Sequence, residues 1–208
     1  MRILICIVAC LVWAPQSHAG IDPDENQIGV YFDTEGTSVC ATVQPNVPFY
    51  AYVILTNLSS PEVWGVEFNL CVVEETVGDS YFFRLGENWP PPFAYDLEHS
   101  ELDRCSDGIR IGCYAPAIPA AGSLVVATLT YMIQGEASAE LYLGPSPEQS
   151  IDDGLPAYAG IVEGGEVGII ALGVSSGDPG LPVASINGDC GVVSAEEKAF
   201  GAIKCLFR

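Results

Sequence analysis

Apolar and polar side chains alternate with a period of two along much of the chain. The clearest runs are Phe49 to Leu55 and Val66 to Val72, separated by the turn-like Asn57-Leu58-Ser59-Ser60-Pro61. A period of two over this length is typical of half-buried β-strands. The pattern predicts further strands at Gln27 to Asp33, Val39 to Val43, Tyr81 to Leu85, Ile109 to Tyr114, Leu124 to Ile133, Ala139 to Leu143 and Val167 to Leu172.

The fold class follows from the number of these strands and from what separates them. The chain contains 22 glycines and 15 prolines, and no stretch before Ser194 has a helical period. This combination predicts an all-β protein with two antiparallel sheets packed face to face, an immunoglobulin-like sandwich. Two stretches are irregular, Glu87 to Asp107 and Gly144 to Tyr158, and long loops of this kind are often functional.

The last residues are the exception to the β pattern. Ser194 and Glu197 form a capping box, and Phe200, Ile203 and Phe207 recur at the spacing of one helix face. A short C-terminal helix that packs on the sandwich is therefore predicted. A sorting or docking signal is the alternative interpretation of the same segment.

The first residues predict export. Arg2 is followed by an apolar run from Ile3 to Ala14 and by the small residues that precede a cleavage site after Ala19. The run is shorter than the roughly 18 residues that a membrane span requires. The predicted organisation is thus a signal peptide at 1–19, a sandwich domain at 20–188 and a helical tail at 189–208. A lipoprotein site at Cys10 is the alternative.

Cysteine usage agrees with an exported protein. Eight cysteines become six when Cys6 and Cys10 leave with the signal peptide, and an even number outside the cell indicates disulfides. Six cysteines allow 15 pairings. Proximity along the chain favours three pairs, which are Cys105 with Cys113, Cys190 with Cys205, and Cys40 with Cys71.

Charge excludes some classes of partner and suggests a cation. The formal net charge is −20, from 27 acidic and seven basic residues, which disfavours nucleic acid and anionic membranes. Solubility explains such acidity, and calcium binding is the functional alternative. The candidate ligands are Asp96, Glu98, Glu101, Asp103 and Asp107 in the first irregular stretch, and Asp22, Asp24 and Glu25 near the start.

Two further sequence patterns are candidate functional sites. Trp89, Phe93 and Tyr95 lie in a proline-rich stretch, where exposed rings can form a platform for sugars. The alternative is that they pack on the sandwich as a minor core. Gly173 to Gly177 has the Gly-x-Ser-x-Gly form of a hydrolase nucleophile elbow around Ser175, but no helix is predicted after it and His99 lies upstream.

The segment "VQPNVPFYAYVILTNLSSPEVWGVEFNLCV" resembles the opening strands of cohesin modules, and "GGEVGIIALGV" and "LPVASING" resemble their closing strands. The resemblance implies a β-sandwich shared with some carbohydrate-binding modules. Residues Phe200 to Arg208 also resemble the aromatic-Gly-x-Ile-Lys-x-Leu-aromatic-Arg ending of other exported bacterial proteins. Residues 185–196 are similar to a dockerin calcium loop, in which Asn187, Asp189 and Glu196 would be ligands.

These observations together predict an exported, non-enzymatic extracellular or cell-surface module with a structural or protein-binding role. The alternative is a calcium-assisted carbohydrate-binding module, and a secreted hydrolase is the third interpretation. The expected partner is a protein or a polysaccharide at the cell surface, without nucleic acid and without a membrane span.

Overall fold

The computed structural model describes residues 23–99, 105–106, 108–113, 116–120 and 122–188, and for residues 94–99 it describes the backbone alone. The regular structure in this part of the chain consists of strands. They are β1 (Gln27–Tyr31), β2 (Cys40–Ala41), β3 (Phe49–Thr56), β4 (Glu62–Asn88), β5 (Phe93–His99), β6 (Ile109–Cys113), β7 (Ile118–Pro119), β8 (Ser123–Gly144), β9 (Ala157–Ile161), β10 (Val167–Ala171), β11 (Gly173–Val174) and β12 (Ala184–Ile186). The predicted all-β class is confirmed, whereas the predicted C-terminal helix lies outside the described residues.

The strands form two sheets that share β4. The first sheet has the order β11-β1-β3-β8-β4, and β12 joins it beside the second half of β8 and carries β2. The second sheet has the order β10-β9-β4-β6-β5, and β7 pairs with the first residues of β4. Residues 62–68 of β4 belong to the second sheet and residues 69–88 to the first.

Two strand pairs depart from the predicted antiparallel pattern. β11 runs parallel to β1, and β12 runs parallel to β2. Parallel neighbours need a crossover connection, and both late strands do reach their partners after long excursions of the chain. The sheet is therefore mixed, although most of its pairs are antiparallel.

The central strands are longer than the alternation predicted. Val66 to Val72 and Tyr81 to Leu85 are parts of the single strand β4, because Gly78 to Ser80 form a bulge rather than a turn. The Ser80 hydroxyl holds this bulge: it donates to the Val77 carbonyl at 2.6 Å and accepts from the Glu136 amide at 2.8 Å. Gly135 lies opposite with φ 79°, and a Cβ there would meet the Ser80 hydroxyl oxygen at 2.5 Å.

One core joins the two sheets. Leu55, Phe68, Leu129, Tyr131 and Leu141 are fully buried or nearly so. Phe49, Phe82 and Tyr131 form an aromatic cluster within it, with ring centroids 4.9–6.4 Å apart. Aromatic rings that contact in this way add to the stabilisation from burial. The first sheet is thus backed by a continuous layer of packed side chains.

The disulfides correct the pairing inferred from proximity. Cys71 bonds to Cys105, across 34 residues of sequence, and Cys113 is a free thiol. The predicted pairs Cys105–Cys113 and Cys40–Cys71 are therefore wrong, because β4 brings Cys71 to the segment after β5. Cys40 is disulfide-bonded to a cysteine outside the described residues. The predicted pair Cys190–Cys205 also lies outside them.

The first irregular stretch is more ordered than its composition suggested. Residues Phe93–His99 form β5, which pairs antiparallel with β6 at the edge of the second sheet. The prolines before it did not prevent a strand, because they precede its first residue. The second irregular stretch, Gly144 to Tyr158, does run as turns and bends before β9.

Candidate protein-binding surface

One ring of the aromatic platform predicted in the proline-rich stretch is buried, and a second is partly buried against the core. Phe93 is buried in the core with 4% of its surface exposed. Trp89 packs against Phe68 with ring centroids 6.4 Å apart, and its indole N–H donates to Glu87 at 3.3 Å. These rings belong to the end of the sandwich, which is the alternative that the sequence left open. The side chain of Tyr95 is not among those described.

The structure describes only the first four residues of the dockerin-like loop, 185–188. Ser185, its first position, is a buried residue of β12 that pairs with Cys40 and Glu140. Asn187 uses its side chain locally, since its oxygen accepts from the Val43 amide at 2.8 Å and its nitrogen donates to the Ala137 carbonyl at 3.1 Å. The Asn187 side chain is thus engaged within the fold, and the calcium loop stays a prediction, since Asp189 and Glu196 lie outside the described residues.

The other predicted calcium ligands stay predictions. Asp96 and Glu98 lie on β5 without described side chains, and Asp103, Asp189 and Glu196 are outside the described residues. Among the residues that are described, no group of three or more His, Cys, Asp or Glu side chains is placed to hold a metal ion.

The Gly-x-Ser-x-Gly segment around Ser175, which the sequence did not favour as a nucleophile elbow, does not have the geometry of one. Ser175 follows β11, its amide donates to the Ile28 carbonyl at 2.9 Å, and its buried hydroxyl has no hydrogen-bond partner among the described residues. A turn with Gly177 at φ 78° comes next, rather than a helix. Because an elbow needs a strand-to-helix turn that exposes the serine, this segment is an edge of the first sheet.

A buried acid on the second sheet is fully engaged in the fold. Glu67 accepts hydrogen bonds from the amide and the hydroxyl of Ser150, at 2.7 and 2.6 Å, and pairs with Arg110 at 3.3 Å. Arg110 also donates to the Ser150 hydroxyl at 3.1 Å. This cluster fastens the irregular stretch before β9 to the sheet, so we assign it a structural role.

The second half of β4 carries an exposed apolar row on the outer face of the first sheet. We call this row the β4 stripe, and it consists of Val73, Val77, Tyr81, Phe83 and Leu85, which are 37–67% exposed. Tyr81 and Phe83 stack obliquely with ring centroids 5.9 Å apart. Contiguous exposed apolar surface on a soluble domain is typical of an interaction site.

Neighbouring strands widen this surface. Met132 of β8 lies opposite Phe83, and Thr130 of β8 lies between Gly86 of β4 and Tyr50 of β3. Tyr50 is 54% exposed on the same face. Tyr, Phe and Met are enriched in the buried centres of protein interfaces. The stripe and Tyr50 therefore form one aromatic surface across three strands.

Acidic residues surround the Val73–Val77 end of the stripe. Glu140 lies directly opposite Val73, Glu136 lies opposite Val77, and Glu75 is exposed between the two valines. The two arginines among the described residues are each paired with an acid, Arg84 with Glu87 and Arg110 with Glu67. The field at this surface is consequently negative, which favours a cationic ligand.

Sequence reasoning missed this surface for an identifiable reason. The alternation around Tyr81 and Phe83 predicted a strand correctly, but alternation does not tell which face is covered. The sequence does contain a signal for an exposed surface. Val73 and Val77 precede Gly78-Asp79-Ser80, Tyr81 and Phe83 follow it, and acids stand at 74, 75, 136 and 140.

Comparisons with known proteins give the fold and no closer relationship. No protein-family model and no curated protein sequence matches the chain. The structure of the sixth cohesin from Acetivibrio cellulolyticus scaffoldin B, in complex with a mutant Cel5 dockerin, matches with a TM-score of 0.50 and 11% identity over 79% of this chain and 99% of that chain. The CaDoc0917–CaCohA2 complex matches with a TM-score of 0.35 and 11% identity over 71% and 98%. The fold is therefore cohesin-like, as the sequence resemblance implied.

No helix among the described residues has the length and apolar character needed to cross a membrane.

Proposed function

We propose that this chain is an exported, non-enzymatic module that binds a protein partner through the β4 stripe and Tyr50. The observation that carries the proposal is the stripe itself, with five large apolar side chains exposed along one strand above a packed aromatic core. Such side chains are costly to leave in water, since each CH₂ group gains about 0.8 kcal/mol on burial. A partner that covers them recovers that free energy.

The partner we propose is a segment with apolar and basic side chains. Glu75, Glu136 and Glu140 lie beside Val73 and Val77, so a bound apolar segment places its own flanks near three carboxylates. Basic flanks gain favourable electrostatics there, and acidic flanks are repelled. The cohesin in the similar structure is in complex with a dockerin, and this supports a protein as the class of partner.

The test compares two double alanine variants, one on each sheet. In the tagged full chain, Tyr81→Ala with Phe83→Ala removes the rings of the stripe, whereas Val167→Ala with Ile169→Ala removes exposed apolar residues from β10. Chemical cross-linking in the source culture, followed by quantitative mass spectrometry, measures the proteins recovered by each. We expect a basic partner recovered by the wild type and the β10 variant and reduced about tenfold for the stripe variant. Equal recovery by all three would contradict the proposal.

Calcium-assisted carbohydrate binding is the second candidate, and the exposed rings of Tyr50 and Tyr81 favour it. Rings on a flat sheet face can stack on sugars as well as on side chains. Retention of the wild type on insoluble polysaccharide, lost in the Tyr81→Ala variant and in EDTA, would support this candidate. Retention that survives both treatments would count against it.

The export part of the proposal has its own test. The mass of the secreted chain measures whether the predicted cleavage after Ala19 has occurred.

A further inference from the structure

The described chain stops beside the β4 stripe. The Asn187 amide donates to the Ala41 carbonyl at 2.8 Å, and two hydrogen bonds of the Asn187 side chain attach it to Val43 and Ala137. Asn187 also lines a shallow pocket together with Glu75, Val77 and Glu136. The residues that follow Gly188 therefore start at the Val77 end of the stripe.

The segment that follows has the composition that this surface favours. Residues 198–208, KAFGAIKCLFR, contain Lys198, Lys204 and Arg208 and no acid. They include both lysines of the chain and three of its seven basic residues. Phe200, Ile203 and Phe207 recur at the spacing of a helix face. This segment is thus both apolar and basic.

We propose that residues 198–208 dock on the β4 stripe of their own chain and occupy the surface that a protein partner would use. The inference rests on the proposed function for its meaning, because the docked tail would regulate access to that surface. Phe200, Ile203 and Phe207 cover the rings of Tyr81 and Phe83. Lys198 and Lys204 lie near Glu136 and Glu140.

The distances allow this arrangement. Val77 and Gly86 of β4 lie opposite Glu136 and Thr130 of β8, so this part of the stripe spans about 20 Å at 3.3 Å per β8 residue, and Val73 lies about 13 Å to the other side of Val77. Because Cys40 is bonded to a cysteine outside the described residues, the reach is counted from Cys190: residues 191–197 extend up to about 23 Å, and a helix over residues 198–208 is about 17 Å long. The linker and the helix together are therefore long enough to reach both ends of the stripe.

Docking within one chain is favoured over docking between two copies. The net charge of −20 makes two copies repel each other, and that repulsion acts at every distance within the screening length. A tail tethered at Gly188 experiences a millimolar effective concentration of its own stripe. The positive charge of a docked tail also offsets part of the negative charge around the stripe.

The two lysines make the experiment specific. A carbodiimide joins a lysine amine to a carboxylate in contact with it, and both lysines lie in the tail, so lysine cross-links report the position of the tail alone. We expect Lys198 and Lys204 to cross-link to Glu75, Glu136 or Glu140 in the full secreted chain, with a yield that falls as salt is added. Cross-links distributed equally to acids of the second sheet, such as Glu163 and Glu166, would overturn the proposal.

Two double variants test the apolar contact between tail and stripe, one on each of its two surfaces. Tyr81→Ser with Phe83→Ser changes the stripe, and Phe200→Ala with Phe207→Ala changes the tail while leaving the sandwich intact. Each is expected to reduce the cross-link yield about tenfold, whereas Val167→Ser with Ile169→Ser on β10 leaves it unchanged. An unchanged yield in the tail variant would overturn the proposal even if the stripe variant failed to fold.

Isotope labelling and partner recovery separate the remaining outcomes. In a mixture of labelled and unlabelled copies, cross-links within one copy support the proposal, and cross-links only between copies overturn it. The Phe200→Ala, Phe207→Ala variant is expected to recover more of the partner than the wild type. If the cross-links form but no partner depends on the stripe, the proposed function fails and the docking stands. If a partner depends on the stripe but the cross-links are absent, the docking fails and the function stands.

Discussion

The two halves of β4 are one strand in two environments. Residues 62–68 lie between β9 on one side and β6 and β7 on the other, and here even Glu67 is buried. Residues 69–88 pair with β8, and here Val77 and Tyr81 are more than half exposed. The same alternation of side chains therefore yields a core in the first half and an exposed apolar surface in the second. Whether a residue of β4 is buried or exposed therefore depends on which strands lie beside it.

The largest expected effect comes from removing a ring in the first half. Phe68 is fully buried and contacts Trp89, so Phe68→Ala leaves a cavity and should lower the free energy of unfolding by about 3–5 kcal/mol. Phe83→Ala in the second half should lower it by about 1 kcal/mol or less, because the ring is already partly in water. Urea denaturation followed by circular dichroism measures both. Equal losses would show that the two halves do not differ as described.

The disulfide at the junction of the halves comes next. Cys71→Ser with Cys105→Ser removes a link across 34 residues, and the expected loss is about 2–4 kcal/mol in the free energy of unfolding. Cys113→Ser is the control, since Cys113 is a free thiol. Peptide mapping of the oxidised wild type should recover the Cys71–Cys105 peptide pair. A Cys105–Cys113 peptide instead would contradict the bond.

A smaller effect is expected from the buried acid. Glu67→Gln removes the charge that faces Arg110 and one of the two oxygens that accept from Ser150, so it should cost about 1–2 kcal/mol in unfolding free energy. Glu75→Gln in the exposed half is the matched control and should be neutral or slightly stabilising, since it lowers the acidic charge. If both variants unfold at the same urea concentration, Glu67 does not fasten the stretch before β9.

The sequence predicted which residues form strands better than it predicted which strands lie next to one another. Alternation identified β1 and β3, whereas it predicted β8 as two strands, Leu124 to Ile133 and Ala139 to Leu143, which the structure joins into one. It divided β4 at Gly78-Asp79-Ser80, since those residues are typical of turns, and only Gly135 and the Glu136 amide on the partner strand make them a bulge. It also missed β5, which depends on β6 rather than on its own composition.

The candidate surface was harder to predict than the fold for the same reason. Trp89 and Phe93 are the rings that composition singles out, but Phe93 is buried in the core and Trp89 packs against Phe68. Tyr81 and Phe83 are ordinary strand residues in sequence, and they are exposed because no described strand covers that face. Disulfide pairing likewise follows contacts in space, and proximity along the chain gave the wrong partner for Cys71.

The free thiol provides the smallest effect and compares the two halves by reactivity. Cys113 lies beside the first half of β4, with its sulfur 3.8 Å from the Val63 carbonyl oxygen, and burial raises the pKa of this thiol from 9.0 to about 11. At about pH 8 its thiolate fraction is then about 0.1%, and alkylation should be about 100-fold slower than for an ordinary thiol. The rate should rise with pH until the pKa is reached. Because the folded pKa is the higher one, the associated stability is present below about pH 9 and is lost between the two values.

A matched thiol in the second half makes this measurement a comparison. Leu85→Cys places a thiol on the exposed stripe, where alkylation with iodoacetamide should be fast at about pH 8. Mass spectrometry of the two peptides over a series of pH values gives both rates in one sample. Alkylation of Cys113 at the rate of the introduced thiol would mean that the first half of β4 is open to solvent, and the contrast between the halves would then be lost.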